Sequence, residues 1–418
     1  MKNYRLITLI LICFQIFLIS CSKEPIVEPI PPAEQEIVLD PTKEGGLVSF
    51  ERVTGYNQAS IRSSVVLAKT LGLQLDESVI KYDIELYKIE YKVNYKGNLI
   101  TASGLLALPV LSETKSLPAY SFQHGTILLK SDAPSKDLAN FLLPIELFLP
   151  ASMGMMAVMP DYIGFGSSAD IFHPYYVKEP SALAILDLLK AAKNFASQKK
   201  YTISNKLHLV GYSQGGYTSL AAHQYLSQNP SYSTFTDFTT YSAAGGYDLM
   251  HMQEIILKRD TYEQPYYLGY ILKAYQNHYG FSQPTWADLL NAPYSERIGP
   301  LMDGSKSGGE VNAALTNNVR ELFKDNFLTN YSSDQLFTNL NSQLMANSLT
   351  EIPSSKFLFL YHGKEDTWVF PETTLSTYQT LLEKGSNNIS YIVLNGDHTS
   401  AFIPFANDVF NRLVESLQ

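Results

Sequence analysis

Gly211-Tyr212-Ser213-Gln214-Gly215-Gly216 sets one serine in the pattern G-x-S-x-G, between an apolar run, Leu207–Val210, and a helix-compatible stretch, Thr218–Leu226. That spacing suits nucleophilic catalysis. Lifting a serine hydroxyl clear of a strand end needs a sharp turn and a strained backbone at the serine. Side chains two positions either side would collide in such a turn, so Gly211 and Gly215 fit there. A helix beginning just after Ser213 would aim its positive end at negative charge developing beside the hydroxyl.

A serine of this kind needs a base, an orienting partner for the base, and donors for an oxyanion. Asp366 is the candidate acid, in His362-Gly363-Lys364-Glu365-Asp366, with Glu365 the alternative. His398 is the candidate base, in Gly396-Asp397-His398. One oxyanion donor is expected from the backbone N–H of Gln214, and a second from the loop His124-Gly125-Thr126, through either Gly125 or Thr126. The remaining histidines fit structural roles. His208 lies within the serine strand, His362 shapes the acid turn, and His173 and His223 have no motif around them. The pentapeptide alone also fits a glycine-rich turn carrying a chance serine. Three roles filled in order reverse that preference.

These residues must be held by strand ends. Ile84–Tyr95 and Leu99–Pro109 read as a hairpin about Lys96-Gly97-Asn98. Short apolar runs follow at Leu117–Phe122, Met155–Met159, Leu207–Val210, Phe238–Ala244, Lys356–Tyr361 and Ile389–Leu394. Helical spacing appears at Ser181–Ala196, near Thr373–Lys384, and from about Pro404 to Leu417. A hairpin followed by alternating strands and helices implies an α/β fold: a mostly parallel, doubly wound sheet with an antiparallel start. In such a sheet catalytic groups gather at the strand C-termini, where all the candidates fall. Residues 247–352 break the alternation. They show no clear strand, carry helical patterns at Tyr266–Tyr279 and Asn312–Phe327, and are rich in tyrosine. So long a stretch must be an inserted unit rather than a loop. Most of its aromatics should pack its own core.

At the N-terminus, Lys2 and Arg5 precede an apolar run, Leu6–Ile19, too short for a comfortable membrane span of about 20 residues. It closes with Leu18-Ile19-Ser20-Cys21, which resembles a bacterial lipoprotein signal. The resemblance implies removal of residues 1–20, lipidation of Cys21, and residence in a bacterial cell envelope on a lipid anchor, at the outer membrane or cell surface. The chain has two cysteines, and Cys13 would leave with the signal, so no mature thiol or disulfide is expected. Residues 21–45, rich in Pro and Glu, read as an extended tether. A net charge of −9 without a basic cluster argues against a nucleic-acid partner. No histidine pair or carboxylate cluster has metal-ligand spacing, and no cofactor is expected.

The motifs together resemble the α/β-hydrolase superfamily, and within it the secretory lipase and esterase branch. The carrying residues are Gly211-Tyr212-Ser213-Gln214-Gly215-Gly216, the Pro160-Asp161-Tyr162 loop with Gly164 and Gly166, His362-Gly363 with Asp366, and His398. The order Ser, Asp, His matches that superfamily. The resemblance spans roughly residues 85–418 and implies a core at 46–246 and 353–418, with 247–352 as a helical lid. It also implies hydrolysis of a small-molecule ester or lipid through an acyl-enzyme. A peptidase or acyltransferase of the same fold, or a non-catalytic surface binding protein, are the rival readings. The Asp161 loop reads as a structural turn near the pocket.

Overall fold

The structure, a computed structural model, describes residues 37–418. The expected signal segment, Cys21 and the tether to residue 36 lie outside the described residues. Among the described residues the sheet has nine strands: β1 (Leu47–Tyr56), β2 (Ile84–Tyr95), β3 (Asn98–Pro109), β4 (Ser116–Gln123), β5 (Met156–Pro160), β6 (Thr202–Tyr212), β7 (Asp237–Ala243), β8 (Phe357–Gly363) and β9 (Ile389–Leu394). Their spatial order is β1-β2-β3-β5-β4-β6-β7-β8-β9. β1, β2, β3 and β5 pair antiparallel, and every pair from β5 to β9 is parallel. This is an α/β-hydrolase sheet, mostly parallel with an antiparallel start.

The period of two along the strands builds two apolar layers. In β6, Leu207 and Leu209 join one core, while Val210 and Tyr212 join the other. The first core is closed by helices Lys178–Gln198, Gln214–Gln228 and Pro371–Glu383, the second by Gln58–Thr70 and Phe402–Ser416. The helix 178–198 is apolar nearly all round, with Leu183, Ile185, Leu186, Leu188 and Leu189 buried, so it packs against the sheet and its neighbours together.

The departures from the sequence reading have physical causes. β1 was not expected, because Leu47–Tyr56 carries Glu51, Arg52 and other exposed residues. It is an edge strand whose partner β2 supplies the pairing and whose outer side faces water. Residues 37–45, expected in the tether, are hydrogen-bonded to the core: Val38 N–H donates to Gln198 Oε1 at 2.6 Å and Gly45 N–H to the Lys92 carbonyl at 2.8 Å.

Between β7 and β8, residues 247–352 form a series of helices with two isolated β-bridges. Tyr267–Tyr279 is one helix, ended by Gly280 at φ +77°. The stretch 312–327, expected as one helix, is divided among Gly308–Ala313, Val319–Leu322 and Asp325–Asn330. Asn318 explains one break. Its side chain accepts from the backbone N–H groups of Arg320 and Glu321, starting a new helix instead of extending the old one. Among the described residues no helix is long and apolar enough to cross a membrane.

Candidate active site

β6 delivers Ser213 to the centre of the sheet's C-terminal edge. The serine has φ +60° and ψ −126°, outside the ordinary regions for an L-residue, and helix Gln214–Gln228 starts at the next residue. The glycines are sterically required. A Cβ on Gly211 would lie 2.1 Å from the Gly215 carbonyl oxygen, and one on Gly215 would lie 1.8 Å from that of Gln123. The turn therefore closes only without side chains at those two positions. Gln214 is the first helical residue, so its N–H has no partner within the helix.

β8 and β9 supply the other two groups from the loops at their C-terminal ends. His398 Nε2 lies 2.9 Å from Ser213 Oγ, and His398 Nδ1 lies 2.7 Å from Asp366 Oδ2. With Asp366 ionised, Nδ1–H donates to the carboxylate and Nε2 accepts from the serine hydroxyl. All three side chains are buried. Asp366 Oδ1 accepts from the N–H groups of Trp368 at 2.9 Å and Val369 at 3.0 Å. His362 Nε2 lies 3.2 Å from Asp366 Oδ2 and 2.8 Å from the Val369 carbonyl, while its Nδ1 accepts from the Thr374 hydroxyl at 2.6 Å. Burial would raise the Asp366 pKa. The hydrogen bonds from His362 and His398 outweigh it and hold the carboxyl well below the usual carboxylate range. Glu365, the alternative acid, is exposed, and its carboxylate lies 3.7 Å from Lys364 Nζ.

The imidazole is fixed from behind and covered from above. The Tyr212 hydroxyl donates to the His398 carbonyl at 2.8 Å. The Trp368 ring stacks on the His398 ring, with centroids 5.0 Å apart and planes 30° apart. Gly125 lies beside Ser213: a Cβ built on it would sit 3.7 Å from Ser213 Cβ. Thr126 Oγ1 is 2.9 Å from the Tyr175 hydroxyl.

Two residues near the serine have no role there assigned by the sequence: His173, without a motif, and Tyr162, in the loop that reads as a structural turn near the pocket. Gln214 Nε2 donates to His173 Nε2 at 2.7 Å, and His173 Nδ1–H donates to the Ile163 carbonyl at 2.6 Å. Burial pushes the His173 pKa down to about 3, so this histidine is a neutral brace for Gln214. Tyr162 is the other. It sits at φ +69° and its hydroxyl donates to the His124 carbonyl at 2.9 Å. No spacing rule links position 173 or 162 to position 213; the fold alone brings them together.

The inserted residues reach this site. The Tyr262 hydroxyl donates to the Trp368 carbonyl at 2.9 Å. Glu263 accepts from Trp368 Nε1–H at 2.7 Å and from the Thr367 hydroxyl at 3.2 Å. The Tyr267 ring lies 6.4 Å, centroid to centroid, from that of Tyr175, whose hydroxyl is 2.9 Å from Thr126 Oγ1. Other tyrosines of the insert point into the interior, such as Tyr247 against Ser242 and Tyr275 against the Tyr176 carbonyl.

Solved structures with this architecture include a Legionella pneumophila protein provisionally classed as a hydrolase, 25% identical over 88% of this chain and 97% of that one, with a TM-score of 0.77. The rice cell wall degrading esterase LipA from Xanthomonas oryzae shares the fold, at 22% identity over 90% of this chain and 100% of its own, with a TM-score of 0.74. Candida antarctica lipase A is more distant, at 17% identity over 88% of this chain and 83% of its own, with a TM-score of 0.56. No curated protein sequence matches. The family model for secretory lipases matches residues 141–406, more than half of the sequence and all three candidate catalytic positions. The chain belongs to the secretory lipase family, whose members are hydrolases of esters.

Proposed function

We propose that the protein is a serine esterase or lipase, lipid-anchored through Cys21, that cleaves carboxylic esters through an acyl-enzyme on Ser213. The observation that carries the reading is the continuous relay from Asp366 through His398 to Ser213, at 2.7 and 2.9 Å. In that reading His398 Nε2 takes the Ser213 proton as Oγ attacks the ester carbon. The carbonyl oxygen becomes an oxyanion and is held by N–H groups of Gln214 and of the 125–126 loop. His398 then gives the proton to the departing alkoxide, which leaves as the alcohol. Water repeats the sequence: His398 takes one proton, hydroxide adds to the acyl carbon, and Ser213 Oγ leaves with the proton returned. Asp366 stays ionised throughout and stabilises the imidazolium.

In the same reading residues 247–352 are a lid. Its support is the contact of Tyr262 and Glu263 with the acid loop, and the place of the Tyr267 ring beside Tyr175, which meets Thr126. Apolar ring faces there favour esters of apolar acids over charged ones, since burying an unpaired charge is costly. The test is hydrolysis of an ester panel varying acyl length and alcohol, with a peptide included. The reading expects ester turnover that disappears in Ser213→Ala. Ester turnover that survives in Ser213→Ala, or cleavage of the peptide alone, contradicts it.

A further inference from the structure

The loop that must supply the second oxyanion donor has two candidate N–H groups, Gly125 and Thr126. Each belongs to a peptide unit, and a trans peptide is planar, with its N–H pointing opposite to its C=O. Fixing the carbonyl of one residue therefore fixes the direction of the next residue's N–H. The His124 carbonyl, in the same plane as Gly125 N–H, accepts from the Tyr162 hydroxyl at 2.9 Å. It also faces Gly215 on the interior side, where a Cβ on that glycine would lie 2.9 Å from it. The Gly125 carbonyl, in the same plane as Thr126 N–H, lies 2.8 Å from His124 Nδ1. A carbonyl oxygen only accepts, so Nδ1 carries the proton.

Both aromatic side chains are themselves held. The His124 and Tyr162 rings pack with centroids 4.2 Å apart. His124 is buried, its Nε2 has no partner among the described residues, and burial pushes its pKa down, which keeps the ring neutral with one proton on Nδ1. Tyr162 adopts φ +69°, a conformation costly for a residue with a bulky side chain. The neighbouring Asp161 keeps that loop in place. Its carboxylate accepts from the Ser103 hydroxyl at 2.5 Å, and from the Ser135 N–H at 2.8 Å and hydroxyl at 2.6 Å. The Pro160-Asp161-Tyr162 turn thus extends from the end of β5 to the back of the oxyanion loop.

We infer that Tyr162 and His124 are positioning residues for the oxyanion hole, Tyr162 orienting the Gly125 N–H and His124 the Thr126 N–H. The inference rests on Ser213 being the nucleophile. Neither side chain touches the reacting atoms. Each holds a carbonyl on the interior side so that the opposite N–H is aimed before charge develops, which is what preorganised stabilisation requires.

Tyr162→Phe keeps the ring stack and removes the hydroxyl. His124→Leu removes the Nδ1 donor, and His124→Asn restores an N–H at about the same place. The readouts are kcat and KM on an activated ester, together with inhibition by an alkyl trifluoromethyl ketone. That ketone takes up the Ser213 oxygen at its carbonyl carbon, the serine proton passes to His398, and the resulting hemiketal oxyanion occupies the hole. Removing an oxyanion donor outright costs about 10²–10³ in kcat, so loosening one should cost roughly 10-fold. Tyr162→Phe and His124→Leu should each lower kcat and ketone affinity in parallel, with KM little changed, and His124→Asn should recover most of both. Variants with normal kcat and ketone affinity overturn the inference. So does a loss that falls on KM as much as on kcat, or one that Asn does not repair, since a merely structural role would behave that way. A wild-type protein that turns over the ester but does not bind the ketone overturns the nucleophile reading as well, and is distinguishable from a failure of the variants alone.

Discussion

At the scale of single residues, the site is a set of proton positions fixed by neighbours that each have one way to bond. Asp366 accepts from two backbone N–H groups and two histidines, so it stays ionised and His398 keeps its proton on Nδ1. Ser213→Ala or His398→Ala should lower kcat by about 10⁴ or more, and the double variant should lose little further, because the groups act as a unit. Asp366→Asn should cost about 10⁴ by favouring the wrong imidazole tautomer. Glu365→Gln should leave kcat within about 2-fold, since surface charges of this kind contribute little. Steady-state kinetics on one ester checks all four. Loss of activity in Glu365→Gln but not Asp366→Asn would reassign the acid.

At the scale of elements, the proposed function gives the chemistry to the strand ends and to the insert the shaping of what reaches them. The insert's tyrosines divide into two groups, and the division predicts different phenotypes. The Tyr267 ring neighbours Tyr175, which meets Thr126 in the loop beside Ser213, so Tyr267→Ala should change the ratio of kcat/KM between short and long acyl esters by up to about 10-fold. Tyr275 donates to the Tyr176 carbonyl inside the molecule. Tyr275→Phe should lower stability by about 1 kcal/mol and leave that ratio unchanged. Equal effects of Tyr267→Ala on all acyl lengths would remove the insert from substrate selection.

This division was not legible in the sequence, where both tyrosines lie on one helical pattern. The strands were legible because apolar runs bounded by turn residues mark the parallel strands and alternation marks the antiparallel hairpin: β9 and β2 match their expected ranges residue for residue. β1 was not legible, because an edge strand facing water has no apolar run to read. The glycine-flanked serine could be read because sterics around one turn are local. The contacts of His173, Tyr162 and Trp368 could not, although the Tyr162 loop reads as a turn near the pocket, because they bear on the site only through tertiary packing.

At the scale of the whole molecule, one buried carboxyl ties stability to pH. Glu146 is only 8% exposed, near Tyr120, Phe122, Val210, Phe402 and Phe405, and burial pushes its pKa up to about 8. A carboxyl whose pKa is raised on folding leaves stability intact below its unfolded pKa, near 4.5. Above that value the unfolded chain ionises and the folded one must stay protonated, so stability falls until the pH reaches the folded pKa. Between about pH 5 and pH 7 the loss from this group should be on the order of 3 kcal/mol. Glu146→Gln should flatten that slope in denaturant titrations at the two pH values. Parallel slopes in both proteins would show that Glu146 titrates as if exposed.

The same scale holds the proposed anchor. Cys21→Ser should shift the protein from membrane to soluble fractions while a soluble form keeps its kcat, and mass spectrometry of the N-terminus would read the lipid directly.

The most direct measurement of the central claim is peptide mapping of the protein after reaction with a fluorophosphonate. The serine oxygen displaces fluoride from phosphorus and forms a stable phosphonyl ester. One adduct per chain is expected, on Ser213, absent in Ser213→Ala and slowed by orders of magnitude in His398→Ala. An adduct on any other residue, or an unlabelled protein that hydrolyses esters at the full rate, would contradict it.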